Sequence, residues 1–405
     1  MPYYSYIAKN LSGEPKSGAS EAKNEHELAK VLRREGYILI SASIEERSKK
    51  RLEFYIPFFK KVSLVEKIMF ARNLGVMIKA GIPLPRALRI IVEQAKNKKL
   101  KIALNNIADE ITKGKSFSES LINYPDIFPE LFSSMMKVGE ESGTMEDSLN
   151  ILVSQMEKEH ELKSKIKGAM IYPAVIIGAM ILIGFLMMIL VIPKLAETFT
   201  ELSIPLPLTT RIVIAIGIFS SQFWYLFPLF ILVLVAAVRF ALKTKTGKIA
   251  IDTIILRIPL FSVFVIKTNS ARTVRTLSSL IKAGIPIVRS LEIVSRVMTN
   301  VYYRRAMEEA AEEVKKGSKL GEILKKHKDV YPNLVIQMIE VGEETGETSG
   351  ILEKLAEFFE EEVANAAKNL SSVIEPVLML IVGAAVGFFA VSMIQPIYSM
   401  VGAMK

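Results

Sequence analysis

The chain has no cysteine, three histidines and one tryptophan in 405 residues. Without thiols it forms no disulfide and offers no thiolate to zinc. His26, His160 and His327 are too few and too scattered for a histidine metal site or a Ser-His-Asp triad. A phosphate-cradling GxxxxGK[S/T] loop is also missing, the nearest stretch being the bare Thr246-Gly247-Lys248. The expectation is therefore no enzyme and no cofactor, with any mechanical work powered by a partner. Charge, too, is absent over long stretches: Ala169–Ile192, Ile212–Val238 and Pro376–Ile394 hold no Lys, Arg, Asp, Glu or His.

At 1.5 Å per residue, about 20 residues cross a hydrocarbon core of roughly 30 Å. Each uncharged stretch is long enough, which sets transmembrane helices at 169–192, 212–238 and 372–400. The middle one exceeds the core thickness, so tilt or a kink near Pro228 is expected. Placing the N-terminus in the cytoplasm leaves only Lys194, Arg211 and Lys405, of 52 Lys and Arg, on the outer side. That orientation makes 193–211 an external loop and 401–405 an external tail. MPYYSYIAKN has no apolar core and does not read as a signal peptide, so most of the chain stays cytosolic. The net charge of +10 suits an anionic leaflet. It also permits nucleic acid, but no aromatic-basic platform supports a direct nucleic-acid partner.

Residues 1–46 read as a small α+β module of ββαβ order, with Asn24 capping its helix. The linker 47–62 mixes Lys and Arg with Phe54, Tyr55, Phe58 and Phe59, a composition suited either to a membrane surface or to packing on protein. From Ser63-x-x-Glu66, a capping box, the periodicity is helical.

IKAGIPLPRAL (Ile78–Leu88) and IKAGIPIVRSL (Ile281–Leu291) open with the same six residues, 203 positions apart. At that offset Arg72 matches Arg275, Leu74 matches Leu277, Gly114 matches Gly317 and Pro129 matches Pro332. VGEESG (Val138–Gly143) likewise matches VGEETG (Val341–Gly346), and Pro173 matches Pro376. The repeated unit is a helical bundle plus the outgoing span: bundle 1 at 63–168 and bundle 2 at 266–371. The fold class is thus a mostly α membrane protein with a small N-terminal module, two homologous cytoplasmic bundles and three transmembrane helices. The middle span, followed by a connector at 239–265, returns the chain so that both copies face the cytoplasm.

Each motif has a structural and a functional reading. In the AGIP corners Gly81 and Gly284 permit a left-handed cap, while Pro83 and Pro286 block helix continuation. The flanking Lys79, Arg86, Lys282 and Arg289 are candidates for meeting an acidic partner. Gly139, Glu140, Glu141 and Gly143, with Gly342, Glu343, Glu344 and Gly346, place paired carboxylates at helix C-termini, where negative charge needs compensation. The next helix, starting at the capping box Thr144-x-x-Asp147, could supply it. So could a cation from the other bundle, a basic partner, or a divalent ion on Glu140, Glu141 and Asp147. Tyr172, Pro173, Glu375 and Pro376 mark where the outgoing spans enter the membrane. Glu375 could lie at head-group depth or pair with a client helix. Gly383-x-x-x-Gly387 offers a small face to a neighbouring helix.

These residues resemble the inner-membrane platform proteins of type IV pilus and type II secretion machines, the type II secretion system protein F or PilC-like family. The resemblance is carried by Tyr6, Ala8, Gly18, Leu32 and Gly36 in the N-terminal module. It extends through the KAGIP and VGExSG/VGExTG motifs in both bundles to Tyr172-Pro173 and Glu375-Pro376. It implies a non-enzymatic scaffold of the bacterial inner membrane that couples a cytoplasmic hexameric ATPase to insertion of pilin or pseudopilin subunits into a filament. Implied partners are that ATPase, pilin transmembrane helices, other inner-membrane assembly proteins, the lipid bilayer and a second copy of the chain. A transporter would need more spans and polar groups near the membrane midplane, and a receptor would need an external domain.

Overall fold

A computed structural model describes residues 3–10, 15–22, 24–45, 61–201 and 207–403, in two units, Met1–Lys61 and Val62–Lys405. Most of the basic, aromatic linker expected at 47–62 lies outside the described residues.

In the first unit, strands β1 (Tyr3–Asn10), β2 (Pro15–Glu21) and β3 (Tyr37–Glu45) form an antiparallel sheet of order β2-β1-β3. Helix α1 (Glu25–Arg34) starts at Asn24, whose side chain accepts from the Glu27 N–H at 2.9 Å. Leu28 and Leu32 lie one turn apart and bury against Tyr4, Tyr6 and Ala8, alternate residues of β1. Gly18 sits opposite Tyr6, and a Cβ there would lie 2.8 Å from the phenol oxygen, so the ring occupies the space a side chain would take.

In the second unit, bundle 1 comprises α2 (Leu64–Lys79), α3 (Leu84–Gln94), α4 (Lys98–Thr112), α5 (Phe117–Ile122), α6 (Glu130–Ser142) and the first half of α7 (Met145–Leu186). Ser63 and Glu66 complete a reciprocal capping box at the start of α2. α7 runs through Pro173 without a break, so bundle and apolar rod are one helix. After α8 (Ile192–Glu201), α9 (Leu208–Gln222), α10 (Leu226–Lys243) and α11 (Lys245–Arg257), the pattern recurs. Bundle 2 is α12 (Pro259–Lys282), α13 (Ile287–Val297), α14 (Val301–Lys315), α15 (Leu320–Leu324), α16 (Asn333–Thr345) and α17 (Thr348–Ala403), the last again continuous with a rod.

The two cores solve one packing problem differently. In bundle 1, Phe70 and Phe128 pack with ring centroids 5.4 Å apart. Their counterparts in bundle 2 are Thr273 and Tyr331, whose hydroxyls share a hydrogen bond at 3.1 Å. Burial pushes the phenols of Tyr331 and Tyr303 well above their usual range, so both remain protonated and able to donate.

Among the described residues, three helices are long and apolar enough to cross a membrane: Met145–Glu201, Leu226–Lys243 and Thr348–Ser392. The middle segment differs from the expected single span over 212–238. Its run breaks at Phe223–Tyr225, separating α9 from α10. Pro228 has no N–H to offer the Trp224 carbonyl, and the helix restarts at Leu226 with Pro228 in its first turn, where no such bond is needed. The external loop expected at 193–211 is largely helical. Ile192, Ala196 and Phe199 recur on one face and pack against Val213 and Ile214 of α9. At Gly217 an added Cβ would collide with the Ile192 side chain, which sets how closely the two helices approach. Just before Pro193 the helix widens into a π-turn, Met187–Val191, which accommodates the missing proline N–H. The connector 239–265 is helical apart from the breaks at Thr244 and Ile258, and residues 401–403 of the expected tail continue α17.

Candidate functional site

The corners are helix caps. Gly81 and Gly284 have φ of 74° and 83°, and the Ile82 and Ile285 N–H groups reach back to the Met77 and Leu280 carbonyls, the Schellman arrangement. Pro83 and Pro286 then stand at the N-caps of α3 and α13. The cations beside the corners do not act as one set. Lys79 pairs with Glu146 at 3.0 Å and Lys282 with Glu353 at 2.9 Å, each inside its own bundle. Arg289 does meet an acidic group, on the other bundle: Glu130 of α6 accepts from it at 2.9 Å and from Arg296 at 2.6 Å. Arg86, its counterpart, is exposed and has no ion-pair partner among the described residues.

The carboxylate pairs divide by position. Glu140 accepts from the Phe117 N–H at 2.8 Å and from the Ser118 N–H and hydroxyl at 3.1 and 2.8 Å. Glu343 does the same for Leu320 and Gly321, at 2.7 and 3.0 Å. The charge at the C-terminal end of α6 or α16 is thus compensated by the N-terminus of the short helix packed beside it. This replaces the following helix as the compensating group: Thr144 makes no side-chain cap to α7 and bonds Ser142 instead. The recipient lies 23 residues upstream, a tertiary neighbour invisible to local pattern. No cluster of metal-ligating residues occurs among the described residues. Among the described residues, Glu141 pairs only with Lys137, at 3.8 Å, and Glu344 is exposed without an ion pair. Gly143 and Gly346 are the left-handed C-caps, with φ of 71° and 72°. Gly139 and Gly342 make room for the next helix: a Cβ would come within 2.6 Å of Ser148 at the first and 3.2 Å of Thr348 at the second.

Glu140, Glu141 and Arg289 line one cleft of about 830 Å³ between the bundles, joined by Glu130, Lys137 and Arg296. It carries charges of both signs, and Ile122, Pro125 and Phe128 give it an apolar part. It is wide enough to receive a polar protein segment.

Where the rods enter the apolar region, the Tyr172 hydroxyl donates to Glu375 at 3.1 Å, and Ser371 donates to the Ala169 carbonyl at 2.6 Å. The Glu375 carboxylate therefore has a partner within the chain. Pro173 is buried and stays helical; Pro376 lies within α17.

Sequence reasoning missed the ion pairs that fasten each rod to its bundle. Arg275 holds Glu360 through two bonds, at 2.6 and 2.8 Å, and Arg72 holds Glu157 at the same repeat positions. The signal was present, since both charges recur at the repeat offset.

A sequence profile described as "Type II secretion system (T2SS), protein F" matches residues 70–193 and 273–396, two matches displaced by the spacing of the internal repeat, and one described as "Type II secretion system protein F, N-terminal domain" matches 1–43. A Thermus thermophilus protein named "Type IV pilus assembly protein PilC" is 32% identical over 100% of both chains. A Pseudomonas aeruginosa protein of the same name is 33% identical over 84% of this chain and 91% of its own. The Xanthomonas campestris "Type II secretion system protein F" is 29% identical over 100% of both.

Proposed function

The chain belongs to the type II secretion system protein F family, and from that premise we propose that it is an inner-membrane platform of a pilus-assembly or secretion machine. The observation that carries this reading is the continuity of each bundle with a rod of membrane-crossing length, Met145–Glu201 and Thr348–Ser392. A load applied to a bundle is delivered to its rod without an intervening loop, through the Arg72–Glu157 and Arg275–Glu360 ties. In this reading the bundles face the cytoplasm and meet a hexameric assembly ATPase, and the C-terminus lies outside. The apolar rods, and α10, hold pilin or pseudopilin helices while a subunit moves into the filament. The platform is itself no enzyme, takes no cofactor and works as an oligomer. Relatives named for pilus assembly and for secretion support the class of machine.

Deleting the gene tests this. Surface filaments or machine-dependent secretion disappear, with the pilin subunits left in the membrane. Filaments and secretion at wild-type levels in the deletion strain would overturn the reading.

A further inference from the structure

The two bundles touch through different faces. At these faces bundle 1 contributes α6 and α7 and bundle 2 contributes α12 and α13, while α7 and α17, equivalent helices of the two repeats, also run side by side. Besides the Glu130 pairs, Gln155 of α7 accepts from Ser279 at 2.8 Å and donates to Thr276 at 3.4 Å of α12. A Cβ at Gly284 would stand 3.8 Å from Val138.

Because the bundles are homologous, each also carries the face its neighbour uses. At the repeat offset Arg272, Thr276, Ser279 and Arg289 become Met69, Asn73, Val76 and Arg86, on α2 and α3. Leu131, Val138 and Gln155 become Leu334, Val341 and Phe358, on α16 and α17. A two-fold relation inside the chain would bring these two faces together. They are instead open: Met69 is 58% exposed, Val76 63% and Phe358 46%. Apart from the like-with-like pairing of α7 and α17, the contact between the bundles is therefore head to tail and leaves one unused copy of each face.

The unused copies are the more apolar. Arg272, Ser279 and Gln155 in the closed seam correspond to Met69, Val76 and Phe358 in the open faces. Contiguous exposed apolar groups on a helical bundle mark a surface that is covered in use. The crevice in the closed seam, walled on the bundle 2 side by Arg272, Thr276 and Val297, has an equivalent on bundle 1. That equivalent is an open groove of about 210 Å³ lined by Met69, Asn73 and Gln94.

We propose that this groove on α2 and α3 of bundle 1 receives the α16–α17 face of bundle 2 from a second copy of the chain. Phe358 of that copy fills the place that Gln155 takes in the internal seam. Used twice around a two-fold axis, the contact closes a ring of four bundles with their rods on one side. The internal seam argues for this occupant, since the same pair of faces is already mated once. The proposal refines the oligomeric platform read above.

The absence of cysteine makes the test direct. Full-length chains carrying Met69→Cys and Phe358→Cys, with different tags, are co-expressed and their membranes oxidised. The expected product is a disulfide dimer bearing both tags, at least tenfold more abundant than the product of either variant alone or of Met69→Cys paired with Ile102→Cys on exposed α4. Four results would each overturn the proposal. Self-pairing at position 69 could dominate, or the control could pair equally well. A chain carrying both cysteines could close on itself. The thiol introduced at position 69 could couple to a different protein, or to nothing, while both variants insert and unfold at the wild-type temperature. As a second measurement, Met69→Arg lowers the dimer fraction tenfold in detergent and Phe358→Glu restores it; no change in that fraction contradicts the surface. Both readouts come from isolated membranes or purified protein, so their failure leaves the filament and secretion test of the platform reading untouched.

Discussion

Tyr172 and Glu375 occupy the same position in the two repeats and are hydrogen-bonded to each other, the phenol donating to the carboxylate at 3.1 Å. Divergence has turned an equivalent pair of residues into a clasp. With Ser371 on the Ala169 carbonyl, it ties the rods together where they enter the apolar region. Tyr172→Phe removes the donor, whereas Glu375→Gln keeps an acceptor oxygen. Spin labels at Lys165 and Lys368, measured by pulsed dipolar spectroscopy, are expected to show a broadened distance distribution in the first variant and an unchanged one in the second. Equal distributions in both would mean the clasp does not hold the rods.

The ties between bundle and rod should differ in strength although they match in sequence. Arg275 and Glu360 are 10% and 15% exposed, while Arg72 and Glu157 are 61% and 40% exposed. Removing Glu360 leaves a buried guanidinium unpaired, at a cost of about 3–5 kcal/mol. Removing Glu157 leaves a hydrated one, worth about 0.2–1 kcal/mol. Denaturant unfolding of Glu360→Ala and Glu157→Ala in detergent should reproduce that order, and equal losses would contradict it.

Glu140 and Glu343 cap the N-termini of the short helices α5 and α15. Alanine at either position leaves two backbone N–H groups without an acceptor, costing about 1–3 kcal/mol. Glutamine retains an acceptor and should cost less. Thermal unfolding of the four single variants tests the order Ala below Gln below wild type. Alanine variants as stable as wild type would return these carboxylates to a role in partner binding.

Gly139→Ala must displace Ser148 and the Met145 backbone, with contacts of 2.6 and 3.0 Å. An overpacked crossing of this kind costs about 1–3 kcal/mol. Gly342→Ala meets its nearest atom only at 3.2 Å and should be milder. Unfolding midpoints of the two variants measure the difference, and the reverse order would contradict the packing described.

Much of this architecture was legible from sequence because its causes are local or periodic. Gly81-Ile82-Pro83 can only end one helix and start another, and three uncharged runs announce their solvent. The repeat showed that bundle and rod travel together. What stayed hidden depends on tertiary neighbours. The N–H groups that Glu140 compensates belong to α5, and Glu130 finds Arg289 across 159 residues. The break at Phe223–Tyr225 was anticipated as a kink near Pro228. The helical α8 was missed because its apolar face makes sense only against α9. The seam of α6 and α7 with α12 and α13 was invisible because repeat symmetry suggests a two-fold contact, which the chain keeps only along α7 and α17.

The central claim is that two homologous lobes on one side of the membrane each drive a rod that crosses it. Single cysteines at Ile102, Lys316 and Lys194, in otherwise cysteine-free chains, can be exposed to a membrane-impermeant maleimide in intact spheroplasts. The account predicts labelling at position 194 before lysis, and at 102 and 316 only afterwards. Labelling of either bundle position in the intact cell would contradict it.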